Sequence, residues 1–460
     1  MIKTLCAGLL LLLVLLPPVA GGAGGEAQTG AAEEKGAGLE LSGAQGLELA
    51  RQLLEAGNAR DAGKIYNLLL FSRRREISIE AAFQLAQLYS AEGRHPEAIA
   101  LYMDILNQNP ALARVRLELA RAYFLNKDYE DARFQFELVK GGELPPPVLE
   151  KVDFFLELIR RQKDWNFDFS FALVPDSNIN QASGGREECI ATVFGLLCRP
   201  LEEKQRGLGL SAGASFDHFL RFSRDFGLRS TIGLDILEHE QRANDDYIFT
   251  LASGPRYIFE SGETSLQPLF RKRWIAGKEY SEEFGLRWDI HKIWGRLLLN
   301  SGASFSNISY ADSYVDGILR GHNRFAYIQP RYILDDRTFA QAGLSFSRNS
   351  VRMDAYGEDS LRYSLGAYHF FAYGFSLFAE LSLIETRYHD KQWYVTRDHR
   401  FDETRREDKT WQFYASLSSN IFESKGVTPV LQYYYVKRDS NIWSREYDRH
   451  RINLAFNIRF

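Results

Sequence analysis

From Trp165 to the C-terminus the sequence alternates apolar and polar residues, and this alternation constrains the fold more than any other feature. Successive side chains of a β-strand point to opposite faces, so each alternating segment would have one apolar and one polar face. The final segment shows the pattern, with polar residues at Arg451, Asn453, Asn457 and Arg459 between the apolar residues Ile452, Leu454, Phe456, Ile458 and Phe460. Apolar faces on many successive strands, with charge on the opposite faces, are typical of a transmembrane β-barrel.

Fourteen such strands are predicted within residues 164–460, at 165–174, 205–222, 226–240, 246–259, 265–278, 282–294, 296–308, 321–335, 337–349, 359–373, 374–388, 408–422, 427–440 and 447–460. Connections after even-numbered strands are tight, whereas odd-numbered strands precede the long segments 175–204, 309–320 and 389–407. Bacterial barrels have an even strand number, short periplasmic turns and longer external loops, so both ends of this barrel are predicted in the periplasm. A soluble β-sandwich is disfavoured, because it does not need so many outward Phe, Leu and Tyr side chains.

Two details of the predicted barrel concern its closure and its insertion. Pro255, Pro268, Pro330 and Pro429 fall inside predicted strands, where a missing N–H should weaken the hydrogen-bonded ladder. The alternating aromatic C-terminus is predicted to be the signal that barrel-insertion machinery reads, through Phe456, Ile458 and Phe460.

The N-terminus is predicted to direct export. Residues 1–20 combine Lys3 with a run of about a dozen mostly apolar residues, too short for the roughly 20 residues of a spanning helix, and predict a secretory signal peptide. Residues 21–46 are rich in Gly, Ala and Glu and predict a flexible linker.

Residues 47–163 are predicted to form a periplasmic tetratricopeptide repeat domain. Residues 79–112 fall onto 113–146 after a shift of 34 positions, which is the length of that repeat. The repeat places small residues where two helices cross and aromatic residues beside them, and the predicted packing residues are Ala86, Tyr89, Ala98, Tyr102, Ala120, Tyr123, Ala132 and Phe136. Stacks of this kind present a concave surface to peptides or partner domains.

Two cysteines remain after the predicted signal peptide, Cys189 and Cys198. An oxidising compartment would let them close a small disulfide loop, and we favour this over two free or metal-binding thiols because no His or Cys cluster accompanies them.

Composition and motifs exclude several functions. The chain has 56 Lys and Arg against 60 Asp and Glu, which argues against a nucleic-acid binder. It lacks the zinc-protease, nucleophile-elbow and phosphate-loop motifs, so we predict no catalytic residue, metal or cofactor. The best enzymatic alternative is a rim hydrolase that uses His389 or His399, which lie with Asp390 and Asp398 in one predicted loop; an ordinary charged loop is favoured.

The predicted signal peptide, repeat stack and fourteen-stranded barrel together resemble the surface lipoprotein assembly modulator (Slam) family. The junction Trp165-Asn166-Phe167 and the segment Asp176-Ser177-Asn178-Ile179-Asn180-Gln181-Ala182 after the first strand look like the barrel opening of that family. The resemblance implies that Asp176, Asn178 and Asn180 form a structural or client-contacting motif. A turn in which these side chains bond their own backbone is an equal alternative.

The resemblance also implies a function and partners. It predicts an outer-membrane translocator, which delivers a client lipoprotein or related secreted protein from the periplasm to the cell surface. The implied partners are that client, a periplasmic chaperone, the barrel-assembly machinery and outer-membrane lipid, around a barrel that is itself monomeric. The alternative function is a passive porin or substrate-specific channel with an accessory periplasmic domain.

Overall fold

The computed structural model describes residues 41–142, 144–162, 164–183, 187–192, 195–396, 398, 400–422 and 427–459. The predicted signal peptide and most of the predicted linker lie outside this set, as do His399 and Phe460. From Gly43 onward the chain is one compact unit, in which helices precede a closed barrel.

Seven described helices precede the barrel. They are α1 (Gly43–Glu55), α2 (Ala59–Leu69), α3 (Arg75–Ala91), α4 (His95–Gln108), α5 (Ala113–Leu125), α6 (Tyr129–Val139) and α7 (Pro146–Gln162). The first helix begins at Gly43, four positions before the predicted start of the repeat domain, so the end of the predicted linker is helical. No described helix is long and apolar enough to span a membrane.

The repeat-packing residues lie at the crossings between these helices. Ala86, Ala98 and Tyr102 are fully buried in one cluster, beside the partly buried Tyr89 and Tyr123. Ala120, Ala132 and Phe136 are buried in the next cluster along the stack, which α7 completes. An alanine at each crossing lets two helices approach closely, while the neighbouring aromatic ring fills the space beside it.

The barrel has fourteen antiparallel strands, and the first strand closes it by pairing with the last. A separate two-stranded hairpin, β2 (Glu187–Thr192) and β3 (Gly195–Pro200), lies in the connection after the first strand. The barrel strands are β1 (Trp165–Asp176), β4 (Gly207–Arg221), β5 (Phe226–His239), β6 (Asp246–Phe259), β7 (Gly262–Ile275), β8 (Lys278–Trp294), β9 (Leu297–Tyr310), β10 (Gly321–Ile333), β11 (Thr338–Val351), β12 (Glu358–Phe370), β13 (Phe375–Val395), β14 (Phe401–Ser419), β15 (Val427–Ser440) and β16 (Tyr447–Arg459). The predicted strand number and fold class are confirmed.

Two predicted boundaries are wrong for identifiable reasons. The fifth barrel strand ends at Ile275, because Ala276 and Gly277 have φ of 52° and 74° and form a two-residue hairpin turn. Much of the predicted loop 389–407 is strand, since β13 and β14 continue past a register shift between Arg387 and Lys391. Polar residues occupy both faces of this extension, so it lacks the alternation that identified the other strands.

The strand prolines interrupt hydrogen bonding as predicted. The β6–β7 ladder is broken between the Ala252–Leu269 and Arg256–Ser265 pairs, where Pro255 and Pro268 lie. The β10–β11 ladder is likewise broken at Pro330, and pairing of β14 with β15 ends at Val430, next to Pro429.

Candidate functional site

Lumen, helical cap and seam

The inner wall of the barrel is polar and ion-paired. Register and alternation place Arg229, Asp217, Arg271 and Glu283 on the lumen side of neighbouring strands. Nε of Arg229 lies 3.0 Å from Oδ1 of Asp217, and Nη1 of Arg271 lies 2.8 Å from Oε2 of Glu283. The opposite face leaves large apolar side chains exposed around the barrel, among them Ile232, Leu234, Phe284, Leu286, Trp288, Phe305, Leu344, Phe346 and Leu454. This polarity fits a barrel with lipid outside and an aqueous interior.

The helical domain covers one mouth of the barrel, which we call the helix-side mouth; the opposite end is the far rim. Leu138 of α6 is buried against Ile333 and Phe339 of the barrel. The ring of Phe134, one turn earlier on α6, packs edge-on against the lumen-facing ring of Tyr368, with 5.4 Å between the ring centroids. Burial of a Leu or Phe side chain stabilises the folded state by about 1.5–3 kcal/mol. These contacts therefore hold the helical domain, which we call the cap, on the mouth of the barrel.

Polar contacts fix the position of the same cap. Arg116 of α5 is 1% exposed, and its Nε lies 3.8 Å from Oδ2 of Asp336 in the β10–β11 turn. Arg161 at the end of α7 forms an ion pair with Asp225 in the β4–β5 turn. Arg296 donates a 3.3 Å hydrogen bond to the carbonyl oxygen of Gly142. The cap is thus bound at three separate turns of the mouth.

Burial dominates the electrostatics of the Arg116–Asp336 pair. Loss of solvent lowers the pKa of the Arg116 guanidinium and raises the pKa of the Asp336 carboxyl, and the attraction between the two charges opposes both effects. Arg116 also donates to the Pro110 carbonyl oxygen at 3.0 Å and to Gln135 Oε1 at 2.8 Å. Neither residue carries a sequence signal of this pairing, because each one alone looks like ordinary surface charge.

The contact between β1 and β16, which we call the seam, is the shortest ladder of the barrel among the residues that the structure describes. The two strands pair continuously from Asp168–Arg459 to Leu173–Leu454, and then only at Asp176–Arg451. Pro175 lies in the gap, where it cannot donate a ladder hydrogen bond. The other neighbouring strands of the barrel share longer ladders.

The segment predicted as the barrel-opening motif forms a clasp across the far-rim end of the seam. The Asp176 side chain is completely buried, and it accepts hydrogen bonds from Nε and Nη2 of Arg449 on β16 at 2.8 and 2.5 Å. Asn178, also fully buried, donates from Nδ2 to the carbonyl oxygen of Asp448 at 3.0 Å. Ser177 exchanges hydrogen bonds with the backbone of His450.

The same motif also bonds its own backbone. Asp176 accepts from the amide of Asn178, and Asn178 both donates to and accepts from the backbone of Ala182 at 2.9 Å. Asn180 bonds instead to the segment that leads into β4, by donating to the Glu203 carbonyl oxygen and accepting from the Gln205 amide. The turn and the cross-strand structural role therefore coexist in one motif.

The remaining predicted sites lie apart from the seam clasp. Trp165 is half exposed at the start of β1, at the helix-side mouth. The backbone of Cys189 lies opposite Cys198 in the β2–β3 hairpin, and Cys198 is disulfide-bonded. On β16, Phe456 pairs with Phe171 and Ile458 with Phe169 across the seam, while Phe460 is outside the described residues.

Charged residues at the far rim pair with one another. His389 Nε2 lies 3.0 Å from Asp359, whose carboxylate also receives two hydrogen bonds from Arg348. His399 lies outside the described residues. Within the described chain no group of His, Cys, Asp or Glu residues is arranged to hold a metal ion.

Comparison with known proteins

Family models and curated relatives match both parts of the chain. The model described as "Surface lipoprotein assembly modifier" matches residues 165–460, and the model of its N-terminal TPR repeats matches residues 48–136. Surface lipoprotein assembly modifier 1 of Neisseria meningitidis serogroup B is 24% identical over 94% of this chain and 87% of its own length. The Haemophilus influenzae protein of the same name is 24% identical over 80% of this chain and 75% of its own length.

Solved structures give a weaker likeness. The outer membrane protein OmpT of Vibrio cholerae, in its trimer form, covers 65% of this chain and 100% of its own, with 8% identity and a TM-score of 0.34. The family matches span both the helical repeats and the whole barrel. The chain therefore belongs to the surface lipoprotein assembly modifier family.

Proposed function

We propose that this protein is an outer-membrane translocator that delivers a specific lipoprotein, or a related secreted protein, from the periplasm to the cell surface. The observation that carries the proposal is the position of the helical repeat domain over one mouth of a polar lumen, where Leu138, Phe134 and Arg116 contact the barrel. A repeat stack at this position can hold a client beside the lumen at high effective concentration.

The lengths of the connections support one orientation. The long connections 177–206 and 311–320 lie at the far rim, whereas β4–β5, β6–β7 and β8–β9 are joined at the helix-side mouth by turns of two to four residues. The two-residue β7–β8 turn is an exception at the far rim. With this pattern the helical domain would be periplasmic and the far rim external. A periplasmic chaperone would supply the client, and the barrel-assembly machinery would insert what we take to be a monomeric barrel. Transport would be driven by capture or folding of the client outside the cell, and no catalytic residue, metal or cofactor would take part.

A lipidated client places an additional demand on the barrel. Each CH₂ group of a lipid anchor contributes about 0.8 kcal/mol when buried in the membrane, so an acyl chain would not pass through an aqueous lumen. The lipid would remain in the membrane while the polypeptide passes, and the barrel would open laterally at the seam. The short β1–β16 ladder supports the choice of this position.

Protease shaving of intact cells tests the proposal. Cells with the gene, without it, and complemented by it are treated with an external protease, and all exported lipoproteins and secreted proteins are quantified. We expect one protein to lose surface exposure in the deletion strain while its total amount persists, and to regain exposure on complementation. If every surface protein is unchanged, the proposal is wrong.

The polar lumen wall favours one alternative, a porin or substrate-specific channel. That function requires a permanently open path, and it predicts stable ion conductance of the purified protein in planar bilayers together with a small-solute uptake defect in the deletion strain. A translocator whose mouth is capped would show neither until the cap is displaced.

A further inference from the structure

A groove on the helical domain lies next to a cavity at the helix-side mouth. The outer groove, of about 510 Å³, is lined by α4 and α5 residues that include Met103, Asp104 and Tyr123. The inner cavity, of about 590 Å³, lies between α5–α6 and the barrel wall. The two spaces share the lining residues Met103, Tyr123, Asp128 and Asn420, so they lie side by side.

The inner cavity reaches the barrel wall beside the seam. On the barrel side it is lined by Asn166 and Asp168 of β1, and by residues of β13, β14 and β15 that include Ser376, Ser418 and Thr428. Asp168 is also the first described position of β1 that pairs with β16. The cavity therefore opens at the part of the wall where the proposed lateral opening would occur.

The dimensions of this path restrict its occupant. A folded domain of about 60 residues has a radius of gyration of roughly 10 Å, far too large for these spaces. Cavities of roughly 300–1,000 Å³ hold a drug-sized ligand, which corresponds to a few residues of extended chain. Hydroxyl and amide side chains such as Ser418, Ser419, Asn420 and Thr428 line the wall and can pair with main-chain groups of such a segment.

Charge restricts the occupant further. The charged residues that line the outer groove, Asp104 and Asp128, are both acidic. Deeper inside, Glu137 of α6 is 6% exposed, and its Oε1 accepts no hydrogen bond from any residue that the structure describes. The lining of the inner cavity also includes Arg116, Arg133 and Arg331, but its acidic residues outnumber them. The positive charges of Arg133 and Arg331 act on the Glu137 carboxylate. Neither arginine donates a hydrogen bond to Oε1, and the N–H donors of a basic side chain that arrived with a ligand would satisfy this oxygen.

We propose that the outer groove and inner cavity form a single inlet, which admits an extended, unfolded segment of the exported protein and favours basic side chains along it. The inlet would guide the segment from the repeat domain into the lumen next to the seam. This inference rests on the proposed function, because it specifies the form in which the client would enter.

A binding assay tests the inlet without a known client. The probe is a fluorescein-labelled 12-residue peptide of alternating glycine and lysine, and its anisotropy is measured against the purified full-length protein in detergent. Ser418→Trp and, separately, Thr428→Trp fill the cavity, and Glu137→Gln removes the negative charge of the Glu137 side chain. Ser301→Trp on the outward face of β9 and Glu150→Gln on the exposed face of α7 are the matched controls.

We expect Ser418→Trp and Thr428→Trp each to weaken peptide binding at least tenfold. Glu137→Gln should weaken it roughly tenfold, as expected for loss of one charged hydrogen bond. Both controls should bind like the wild type, and a glycine–glutamate peptide should bind more weakly than the lysine peptide. Equal affinity of the wild type and both cavity-filling variants for the lysine peptide would overturn the inference.

A cellular experiment separates the inlet from the proposed function. The client identified by protease shaving is measured on cells that carry Ser418→Trp, Thr428→Trp or Ser301→Trp, after folding of each barrel has been verified by heat-modifiable gel migration. Loss of display with a folded cavity variant and normal display with Ser301→Trp support the inlet. Normal display with folded cavity variants refutes the inlet alone, whereas no displayed client in the wild type refutes the proposed function.

Discussion

Asp176, at the end of the first barrel strand, and Arg449, on the last strand, form a two-point ion pair across the closure of the barrel, with N–O distances of 2.8 and 2.5 Å. They are 273 positions apart in the chain and are joined only when β1 meets β16. Asp176 is fully buried, so its charge depends on Arg449 for compensation.

Removal of one partner of this pair should destabilise the barrel. Arg449→Ala leaves the buried Asp176 carboxylate unpaired, and we expect a loss of about 3–5 kcal/mol in the free energy of unfolding. Denaturant titration of the protein in detergent micelles measures this loss. Arg387→Ala is the control, because Arg387 forms an exposed ion pair in which its Nε lies 3.8 Å from Oε1 of Glu407. This variant should show no measurable change in the free energy of unfolding. Equal stability of both variants would mean that the pair does not hold the seam.

A disulfide across the seam should prevent lateral opening. Ala172 and Ala455 lie directly opposite each other on β1 and β16, so Ala172→Cys with Ala455→Cys can lock the two strands. We expect display of a lipidated client, measured by protease shaving, to fall at least tenfold under oxidising conditions and to recover after reduction. The control pair Ala379→Cys with Ala415→Cys joins β13 to β14 and should have no effect. Undiminished display in the fully oxidised seam variant would exclude lateral opening at this position.

The glycine at position 141 should be required for docking of the cap. A Cβ atom there would collide with the carbonyl oxygen of Asp335 and with Ile333, because the backbone lies directly against the β10–β11 turn. Gly141→Ala should therefore loosen α6, at a cost of about 1–3 kcal/mol. Hydrogen–deuterium exchange of the α6 amides measures this loosening. Gly142→Ala meets only an ordinary contact at 3.4 Å, and its exchange should match that of the wild type.

The cap should respond to pH through Asp336. Because burial raises the pKa of this carboxyl in the folded protein, its protonated form favours the folded state. The stabilisation that Asp336 gives to the folded state is therefore complete below the pKa of this carboxyl in the unfolded chain, about 3.9. This stabilisation is lost as the pH rises through the higher pKa of the folded protein. The melting temperature of the wild type relative to Asp336→Asn should rise as pH falls from about 7 to 4. A pH-independent difference, or the opposite trend, would contradict the assignment of this effect to Asp336.

Peptide mapping should identify the partner of Cys198. We expect mass spectrometry of the unreduced protein to recover a peptide that joins Cys189 to Cys198, since their backbones face each other in the β2–β3 hairpin. Cys198→Ser should make this hairpin more sensitive to protease and leave the melting temperature of the barrel unchanged. A linkage of Cys198 to any other thiol would disprove the predicted pairing.

The sequence alone determined the barrel and the repeat stack, because both have a local period. Strand alternation depends on which residues face lipid, and the repeat depends on small residues such as Ala98 and Ala132 at helix crossings, so each can be identified within a short window. Prediction failed where the period was absent. The extension of β13 and β14 beyond Arg387 has polar residues on both faces, and the turn at Ala276 and Gly277 continues the apparent pattern of its strand.

The contacts that join these parts form only in the folded protein. The docking of α6 on the mouth, the Arg116–Asp336 pair and the Asp176–Arg449 clasp connect residues that are distant in the chain. None of these side chains carries a local signal of its partner, because burial and pairing arise only after the barrel closes and the cap docks. The sequence marked Asp176, Asn178 and Asn180 as a motif, and the fold placed the first two across the seam and the third against the segment that leads into β4.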